Sequence, residues 1–258
     1  MEKQPLTLRE RQLEYLHILK ELDRYCSANS LRYYLGCGTL IGAVRHHGFI
    51  PWDDDLDVFM PRPDFMQLLK DYHSNKFTLH SVYNDNSHPY NFGRLCSNEI
   101  FTPIGDKKDF VFGIDVYVIN GAPTSQKEQL EHMDRTHRFI SMKNKLLYVR
   151  NKLAAHNLWP YKNLEFPLMH RMLMKAEKEF AKYDYCSSDY IWPYGGGRLI
   201  MKKENYGRPI RIQFEDGLFC APEHVHEVLT LGYGDYMKLP PEEKRHPYHT
   251  EIFFRLTD

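Results

Sequence analysis

Residues 51–58 of the chain read Pro51-Trp52-Asp53-Asp54-Asp55-Leu56-Asp57-Val58, which places four carboxylates within five positions. Side chains two residues apart share a face of a strand, so the alternation from Asp55 through Met60 predicts a strand with one acidic and one apolar face. Mutual repulsion among these acids indicates a bound cation. Asp55 and Asp57 are selected as its ligands because they lie on the same face of the predicted strand. Oxygen ligands suit Mg²⁺ or Mn²⁺. A solvated acidic loop is the alternative, which the apolar alternation disfavours.

A second predicted strand carries one further acid. Phe112-Gly113-Ile114-Asp115-Val116-Tyr117-Val118-Ile119 has the clearest strand pattern of the chain, and Asn120-Gly121 is expected to end it. Two side chains rarely hold two metal ions, so a third carboxylate is expected, and Asp115 lies on the face opposite to the apolar residues. Asp115 could ligate the cation or accept a proton. Taken alone, it is better explained by an ordinary polar contact.

Just upstream of the acidic run, Gly36-Cys37-Gly38-Thr39 follows a short aromatic strand and precedes a helix predicted over 39–46. Such a turn presents free backbone N–H groups and the positive end of a helix dipole, where a phosphate can bind. Gly38 and Thr39 are therefore candidate phosphate-binding residues. A glycine turn capped by threonine is the plainer interpretation of this segment by itself.

Three arginines are candidate phosphate contacts. Arg45 and Arg62 flank the turn and the acidic strand, and a guanidinium can bind phosphate oxygens in a bidentate manner. Arg94 follows the segment Phe92-Gly93 on a predicted strand. Each of the three could instead form an ion pair with a protein carboxylate.

The remaining pattern predicts an α+β fold. An amphipathic helix opens the chain over 6–30, a helix follows Pro63, and short strands are predicted over 77–83 and 90–96. Beyond Pro123 the pattern changes to helices over 125–156 and 165–182, then a strand over 209–214 and a helix over 223–231. We therefore predict a mixed-sheet catalytic core over 1–122 and a mainly helical subdomain over 123–258 that completes the site, with one continuous domain as the alternative.

Composition excludes some classes of function. The 258 residues contain 34 Lys and Arg and 34 Asp and Glu, so the chain has no overall positive charge for sequence-independent nucleic-acid binding. No apolar run reaches membrane-spanning length, and the N-terminal residues do not have the pattern of a secretory signal. The five cysteines stand isolated, which predicts reduced thiols. A soluble cytoplasmic protein is expected.

The motifs together resemble the LicD family of phosphotransferases. Tyr34–Val58, with its Gly-Cys-Gly-Thr turn and acidic strand, is similar to the family's signature, and Phe112–Val116 and Tyr233–Pro241 are similar to its second and third blocks. The resemblance implies a nucleotidyltransferase-like fold, related to fukutin-type enzymes, in which Gly38, Thr39, Asp55, Asp57 and Asp115 hold a metal-bound diphosphate. Cys37 departs from the pattern, because members often carry glycine there.

The family's activity implies transfer of phosphocholine from CDP-choline to a hydroxyl of a cell-surface glycan precursor of the teichoic acid or lipopolysaccharide type. Another CDP-alcohol could be the donor instead of CDP-choline. CMP is the other product. One alternative keeps the fold and transfers the nucleotide instead. A second alternative is a non-catalytic protein that binds nucleotides or glycans. No nucleic-acid partner is expected.

A choline head group needs aromatic ring faces and nearby negative charge. Trp52 and Tyr194 are candidates for this role, and Glu215 could line the site, although aromatic residues are more often part of a core and Glu215 adjoins a predicted hairpin turn. A lipid-linked glycan acceptor would be met at a membrane surface, and the basic residues of the helix over 125–156 could make peripheral contact there. A solvated helix that packs on the core is the better-supported interpretation.

Overall fold

The computed structural model describes residues 5–102, 112–155, 165–193, 198–249 and 251–255, and within them the chain forms six α-helices and eleven strands. The helices are α1 (Leu8–Ala28), α2 (Cys37–His46), α3 (Arg62–Asp71), α4 (Gln126–Ala155), α5 (Glu165–Phe180) and α6 (Val225–Tyr233). The strands are β1 (Tyr34–Leu35), β2 (Asp57–Pro61), β3 (Phe77–His80), β4 (Gly93–Ser97), β5 (Ile100–Phe101), β6 (Gly113–Ala122), β7 (Tyr190–Pro193), β8 (Met201–Lys202), β9 (Ile210–Phe214), β10 (Gly217–Ala221) and β11 (Phe254–Arg255). The predicted α+β fold class is confirmed.

Seven strands form one mixed sheet, in the order β1-β2-β6-β4-β3, with β7 paired to β6 and β8 paired to β7. The central pair, β2 and β6, is parallel, and the other described pairs of this sheet are antiparallel. Strands β9 and β10 form a separate hairpin, and β11 pairs with β5. The two predicted acidic strands are therefore neighbours at the centre of the sheet.

Strand β6 is longer than predicted. It continues through Asn120 and Gly121, because these residues pair with Trp192 and Ile191 of β7. The expected turn at Asn120-Gly121 is wrong, since strand pairing with a distant segment overrides the local turn preference. Glycine suits this position because a Cβ at Gly121 would lie 2.5 Å from the carbonyl oxygen of Asp184.

Strand β2 is shorter than predicted at its start. Pro51 and Trp52 form a turn, closed by a 2.9 Å hydrogen bond from the Asp53 N–H to the Ile50 carbonyl, and residues 53–56 precede the strand. The expected strand parity therefore does not apply to Asp53 and Asp55. The predicted apolar side is confirmed, since Leu56, Val58 and Met60 are all buried.

Helix α1 covers the sheet with its apolar side, as its periodicity predicts. Its Leu19 and Leu22 are fully buried, and a capping box between Thr7 and Glu10 fixes its first turn. A capping box of this kind stabilises a helix by roughly 1 kcal/mol.

Residues from the second half of the chain complete the same core. Trp192 of β7 is fully buried, and its ring packs against Phe180 of α5 and His132 of α4. The division of the chain near residue 122 stays a prediction. Among the described helices, none combines the length and the apolar character needed to cross a bilayer.

Candidate active site

The structure brings two of the predicted carboxylates directly together. Asp57 and Asp115 are paired residues of the parallel strands β2 and β6, and the Asp115 N–H donates a 2.9 Å hydrogen bond to the Leu56 carbonyl. Paired residues of neighbouring strands project from the same face of a sheet. The two acids therefore share one face, at the start of β2.

The glycine turn holds Asp57 from the other side. The Gly36 N–H donates to the Asp57 carbonyl at 3.0 Å, and the Asp57 N–H donates to Thr39 Oγ1 at 2.9 Å. Thr39 is 1% exposed, so its hydroxyl fixes the strand. The candidate phosphate-binding groups that remain are the first backbone N–H groups of α2, which Gly36 cannot cap because it has no side chain.

Asp53 approaches the same turn. A Cβ at Gly38 would lie 3.0 Å from Asp53 Oδ2, so glycine at this position leaves room for the carboxylate beside the start of α2. Asp53 Oδ2 is buried and has no hydrogen-bond partner among the described residues. Burial, together with repulsion from Asp55 and Asp54, raises the pKa of Asp53 from its ordinary 3.8 to about 7.

The neighbouring carboxylates are perturbed in the same direction. Burial, together with the negative charges of Asp55 and Asp115, raises the pKa of Asp57 well above its ordinary value. Burial likewise raises the pKa of Asp55 and of Asp115, although His249 opposes the shift at Asp55 and Arg94 opposes it at Asp115. The cluster thus carries more buried negative charge than the protein itself compensates.

Arg94 is brought into the site. It lies opposite Asp115 in the antiparallel pairing of β4 with β6, and its Nε and Nη2 donate to the two carboxylate oxygens of Asp115 at 2.6 and 3.1 Å. The guanidinium also lies over the Tyr90 ring, 4.9 Å from the ring centroid. A bidentate ion pair of this kind fixes the orientation of Asp115.

Asp54 has a role that the sequence pattern did not indicate. Its side chain is 3% exposed and accepts a 2.7 Å hydrogen bond from the His249 N–H, and His249 Nδ1 lies 3.1 Å from its other oxygen. Burial alone would raise the pKa of Asp54, yet the hydrogen bonds from His249 hold it below its ordinary value. The C-terminal segment is thereby fastened against the acidic cluster.

A small cavity opens at this point. Its volume is about 80 Å³, and its lining includes Asp55, Asp115, Arg94, Tyr90 and His249. This cavity is polar and charged, and it is large enough only for a small group or a few water molecules.

Arg45 and Arg62 are placed differently from each other. Arg45 lies near Asp53, but its Nη1 donates to the carbonyl of Tyr236 at 2.7 Å and so holds the loop after α6. Arg62 starts α3 at the opposite end of β2, roughly 16 Å along the strand from Asp57. There it forms a buried ion pair with Glu177 at 2.9 Å.

The remaining candidate substrate-binding residues, Trp52, Tyr194 and Glu215, also lie in different places. Trp52 is partly exposed, with the Arg245 guanidinium 5.8 Å from its ring centroid. Tyr194 lies outside the described residues. Glu215 lies in the turn of the β9–β10 hairpin, where it forms an ion pair with Arg9 and accepts a 3.1 Å hydrogen bond from the Phe49 N–H. The structure therefore gives Glu215 a tethering contact away from the carboxylates.

Cys37 and Tyr233 form a contact that the sequence did not indicate. Cys37 lies close to both Asp57 and Tyr233, which act electrostatically on its thiol, and Cys37 has a left-handed backbone with φ of 46°. That conformation favours glycine, which explains why a residue other than glycine is unusual at this position of the motif. Burial raises the pKa of the Cys37 thiol, so it is not an activated nucleophile.

The donor set suits a hard divalent cation, because it consists of carboxylate oxygens whose charge is buried and uncompensated. Within the described parts of the chain, no three His, Cys, Asp and Glu side chains already stand in an arrangement that could hold a metal ion. Both oxygens of Asp115 are engaged by Arg94. The carboxylate oxygens of these residues fit a divalent cation, although the described side chains do not form a complete coordination site in advance.

The raised pKa of Asp53 predicts a pH-dependent stability. Between about pH 4 and pH 7 the folded state binds a proton at Asp53 that the unfolded state has lost, so the free energy of unfolding falls as pH rises. In EDTA, we expect the Tm to fall less between pH 5 and pH 8 in Asp53→Asn than in the wild type. Burial lowers the pKa of His88 to about 4, so the contribution of His88 to stability rises with pH while that of Asp53 falls. The Tm of Asp53→Asn is therefore compared with that of the wild type at each pH, which cancels the contribution of His88. Parallel Tm curves would contradict the assignment.

Comparison with known proteins places these motifs in context. A model of the family described as LicD/FKTN/FKRP, nucleotidyltransferase domain, matches residues 30–168. The lipopolysaccharide cholinephosphotransferase LicD of Haemophilus influenzae is 34% identical over 265 residues, covering 95% of this chain and 97% of that protein. An uncharacterized protein of Rickettsia prowazekii is 29% identical over 103 residues, covering 39% of this chain and 37% of that protein. The family match contains the glycine turn, the acidic run, Arg94 and Asp115.

Proposed function

The chain belongs to the LicD/FKTN/FKRP nucleotidyltransferase family, and from that premise we propose that it transfers phosphocholine from CDP-choline to a hydroxyl of a cell-surface glycan, with release of CMP. Similarity to a lipopolysaccharide cholinephosphotransferase over nearly the full length of both proteins supports a lipopolysaccharide-type acceptor. The observation that carries the proposal is the in-register pair of Asp57 and Asp115 beside the open start of α2. This arrangement puts a phosphate-binding turn next to a set of carboxylates.

The first backbone N–H groups of α2 would bind the diphosphate of the donor. Thr39 and the Gly36 backbone hold Asp57 in place beside that turn, and Arg94 holds Asp115. The acceptor hydroxyl oxygen attacks the phosphorus that bears the choline, and the bond from that phosphorus to the oxygen of CMP breaks. CMP leaves with the bonding electrons, and the hydroxyl proton passes to the carboxylate set. Positioning and electrostatics carry such a reaction, because the protein forms no covalent bond.

Asp55 and Asp57, with Asp115, would hold Mg²⁺ or Mn²⁺. A divalent cation supplies charge neutralisation of the diphosphate and of the departing CMP. The raised pKa values of these carboxyls support this assignment, since a cation would compensate the buried charge.

The transfer assay measures CMP release from CDP-choline with Mg²⁺, in the presence and absence of choline-free lipopolysaccharide, and repeats it with EDTA. Label in the choline or in the cytidine of the donor shows which half reaches the acceptor. Acceptor-dependent CMP release with choline label in the glycan is the expected result. Cytidine label in the glycan would indicate the nucleotidyltransferase alternative, and binding of donor without turnover would indicate a non-catalytic protein.

A lipid-linked acceptor would bring the enzyme to a membrane surface, and we propose α4 as the contact. Its Arg138 and Lys145 are exposed, together with Met142, Tyr148 and Val149. Lys143 and Arg135 of the same helix do not contribute, since Lys143 is buried and Arg135 pairs with Glu179. Flotation with anionic vesicles at low salt is expected to recover the protein, and less of an Arg138→Gln/Lys145→Gln variant. Equal recovery of both would count against this surface.

A further inference from the structure

A second and larger cavity adjoins the glycine turn. Its volume is about 260 Å³, and it lies between Gly36 and Cys37 on one side and α6 on the other. Aromatic and aliphatic side chains line it, and the described lining contains no Lys, Arg, His, Asp or Glu. The rings that border it are those of Phe59, Tyr206 and Tyr233. It is an uncharged, aromatic pocket at the edge of a strongly acidic site.

The pocket lies directly beside the reacting centre. Gly36 lines the pocket and donates its N–H to the Asp57 carbonyl at 3.0 Å. Cys37 also lines it and has its thiol close to both Asp57 and Tyr233. Glycine at position 36 lets the Phe59 ring pack directly against the turn at the border of the pocket, because a Cβ there would collide with that ring. A group bound in this pocket would therefore lie next to a phosphate at the start of α2, with the charge of Asp57 close behind Cys37.

These features match the chemistry of a quaternary ammonium. A trimethylammonium group has a full positive charge and no hydrogen to donate, so it binds to aromatic faces near negative charge and gains nothing from hydrogen-bond acceptors. A cytosine ring, by contrast, needs donors and acceptors that this lining scarcely offers. In phosphocholine only an ethylene group separates the phosphate oxygen from the nitrogen, so the head group binds close to the phosphate, and Gly36 and Cys37 belong both to the turn and to the lining of this pocket.

The smaller cavity is the competing location, and its residues fit less well. Arg94 and His249 line it alongside Asp54, Asp55, Asp115 and Glu251. The Arg94 guanidinium already occupies it as the cation bound to Asp115. Its aromatic rings are engaged with one another or with Arg94: Tyr15 stacks on Phe112, and Tyr90 lies beneath the Arg94 guanidinium. Its volume is also less than a third of that of the larger pocket.

We propose that the pocket between the glycine turn and α6 holds the quaternary ammonium of the donor, with the Tyr233 ring as its principal contact. This inference rests on the proposed function and adds the site that selects the head group. Tyr233 is about half exposed, which makes its ring accessible from the pocket and tolerant of substitution. Cys37 couples the two parts of the site, since it lies close to both Tyr233 and Asp57.

The test compares CDP-choline with its neutral isostere, in which carbon replaces the quaternary nitrogen. Wild type is expected to prefer CDP-choline in kcat/KM by about tenfold, the factor that a desolvated cation gains from an aromatic ring. Tyr233→Leu should bring this preference close to unity, whereas Tyr233→Phe should keep it, because the ring and not the hydroxyl binds the cation. A preference that survives in Tyr233→Leu and disappears in Tyr90→Leu would place the head group in the smaller cavity and overturn the inference.

A binding measurement separates failure of this inference from failure of the proposed function. Calorimetric titration with phosphocholine and with its neutral isostere needs no turnover. The expected result is the same tenfold preference for phosphocholine, lost in Tyr233→Leu and kept in Tyr233→Phe, even if no CDP-alcohol is a donor. Equal affinity of wild type for the two compounds, or an unchanged preference in Tyr233→Leu, would overturn the inference whatever the outcome of the transfer assay.

Discussion

Replacement of Asp57 by Asn is expected to lower phosphocholine transfer by about 10³-fold while the protein stays folded. The carboxylate lies where the paired strands and the glycine turn meet, directly beside Asp115 and the open start of α2, so its charge acts at the point where the donor diphosphate is proposed to bind. Loss of one charge-stabilising group in an active site costs about 10²–10³ in turnover, and a cation ligand belongs at the upper end of that range. CMP release at saturating CDP-choline and Mg²⁺ measures the effect.

The same substitution should not destabilise the fold. Burial and two neighbouring carboxylates raise the pKa of Asp57 well above its ordinary value, which means that its ionised form is unfavourable in the folded protein without a cation. Asparagine has the same shape without the charge, so the Tm in EDTA at pH 8 should be equal to or above that of the wild type. A gain of stability with a loss of activity is typical of a functional site.

Asp71→Asn is the matched control, since Asp71 is an exposed acid at the end of α3, outside the cluster. It should leave turnover and Tm unchanged. Asp55→Asn should behave like Asp57→Asn, because its carboxyl is perturbed by the same burial and lines the polar cavity. Near-wild-type turnover in both purified variants at the cluster would remove the site assignment.

The local patterns predicted the parts of the site that depend on short segments. The glycine turn, the apolar side of β2 and the strand around Asp115 all appear where their residues indicate. The juxtaposition of Asp57 with Asp115 depends on the parallel register of β2 and β6, which periodicity does not predict; the resemblance to a known family implied only that these acids serve one site. Sequence spacing alone gives the faces of a strand and not its neighbour.

The contacts that could not be predicted are those between distant segments. Asp54 was the acid with the wrong parity for a metal site, and its partner, His249, is 195 positions away in the chain. Glu215 was a candidate to line the site, with a hairpin turn as the alternative, and in the structure it lies in that turn and fastens the β9–β10 hairpin to Arg9 of α1. A charged residue in a motif-rich sequence gives no sign of which remote partner it will meet.

Arg62→Met is expected to lower the free energy of unfolding by about 3–5 kcal/mol without changing turnover per folded molecule. The guanidinium donates to Asn120, to the Tyr83 hydroxyl at 2.8 Å and to Glu177 at 2.9 Å, and Glu177 is only 2% exposed. Removal of one partner of a buried ion pair leaves the other charge uncompensated, which costs about this much. The Tm should fall by about 10 °C.

Arg62→Met/Glu177→Met tests the cause, because it removes the stranded charge together with its partner and should recover most of the lost stability. The distance of Arg62 from Asp57 along β2 argues that the KM for CDP-choline stays within about twofold of the wild type in both variants. A phosphate-binding arginine would give the reverse pattern, with a raised KM, an unchanged Tm and no recovery in the double variant. That result would return Arg62 to the donor site, where its sequence position beside the acidic strand first suggested it.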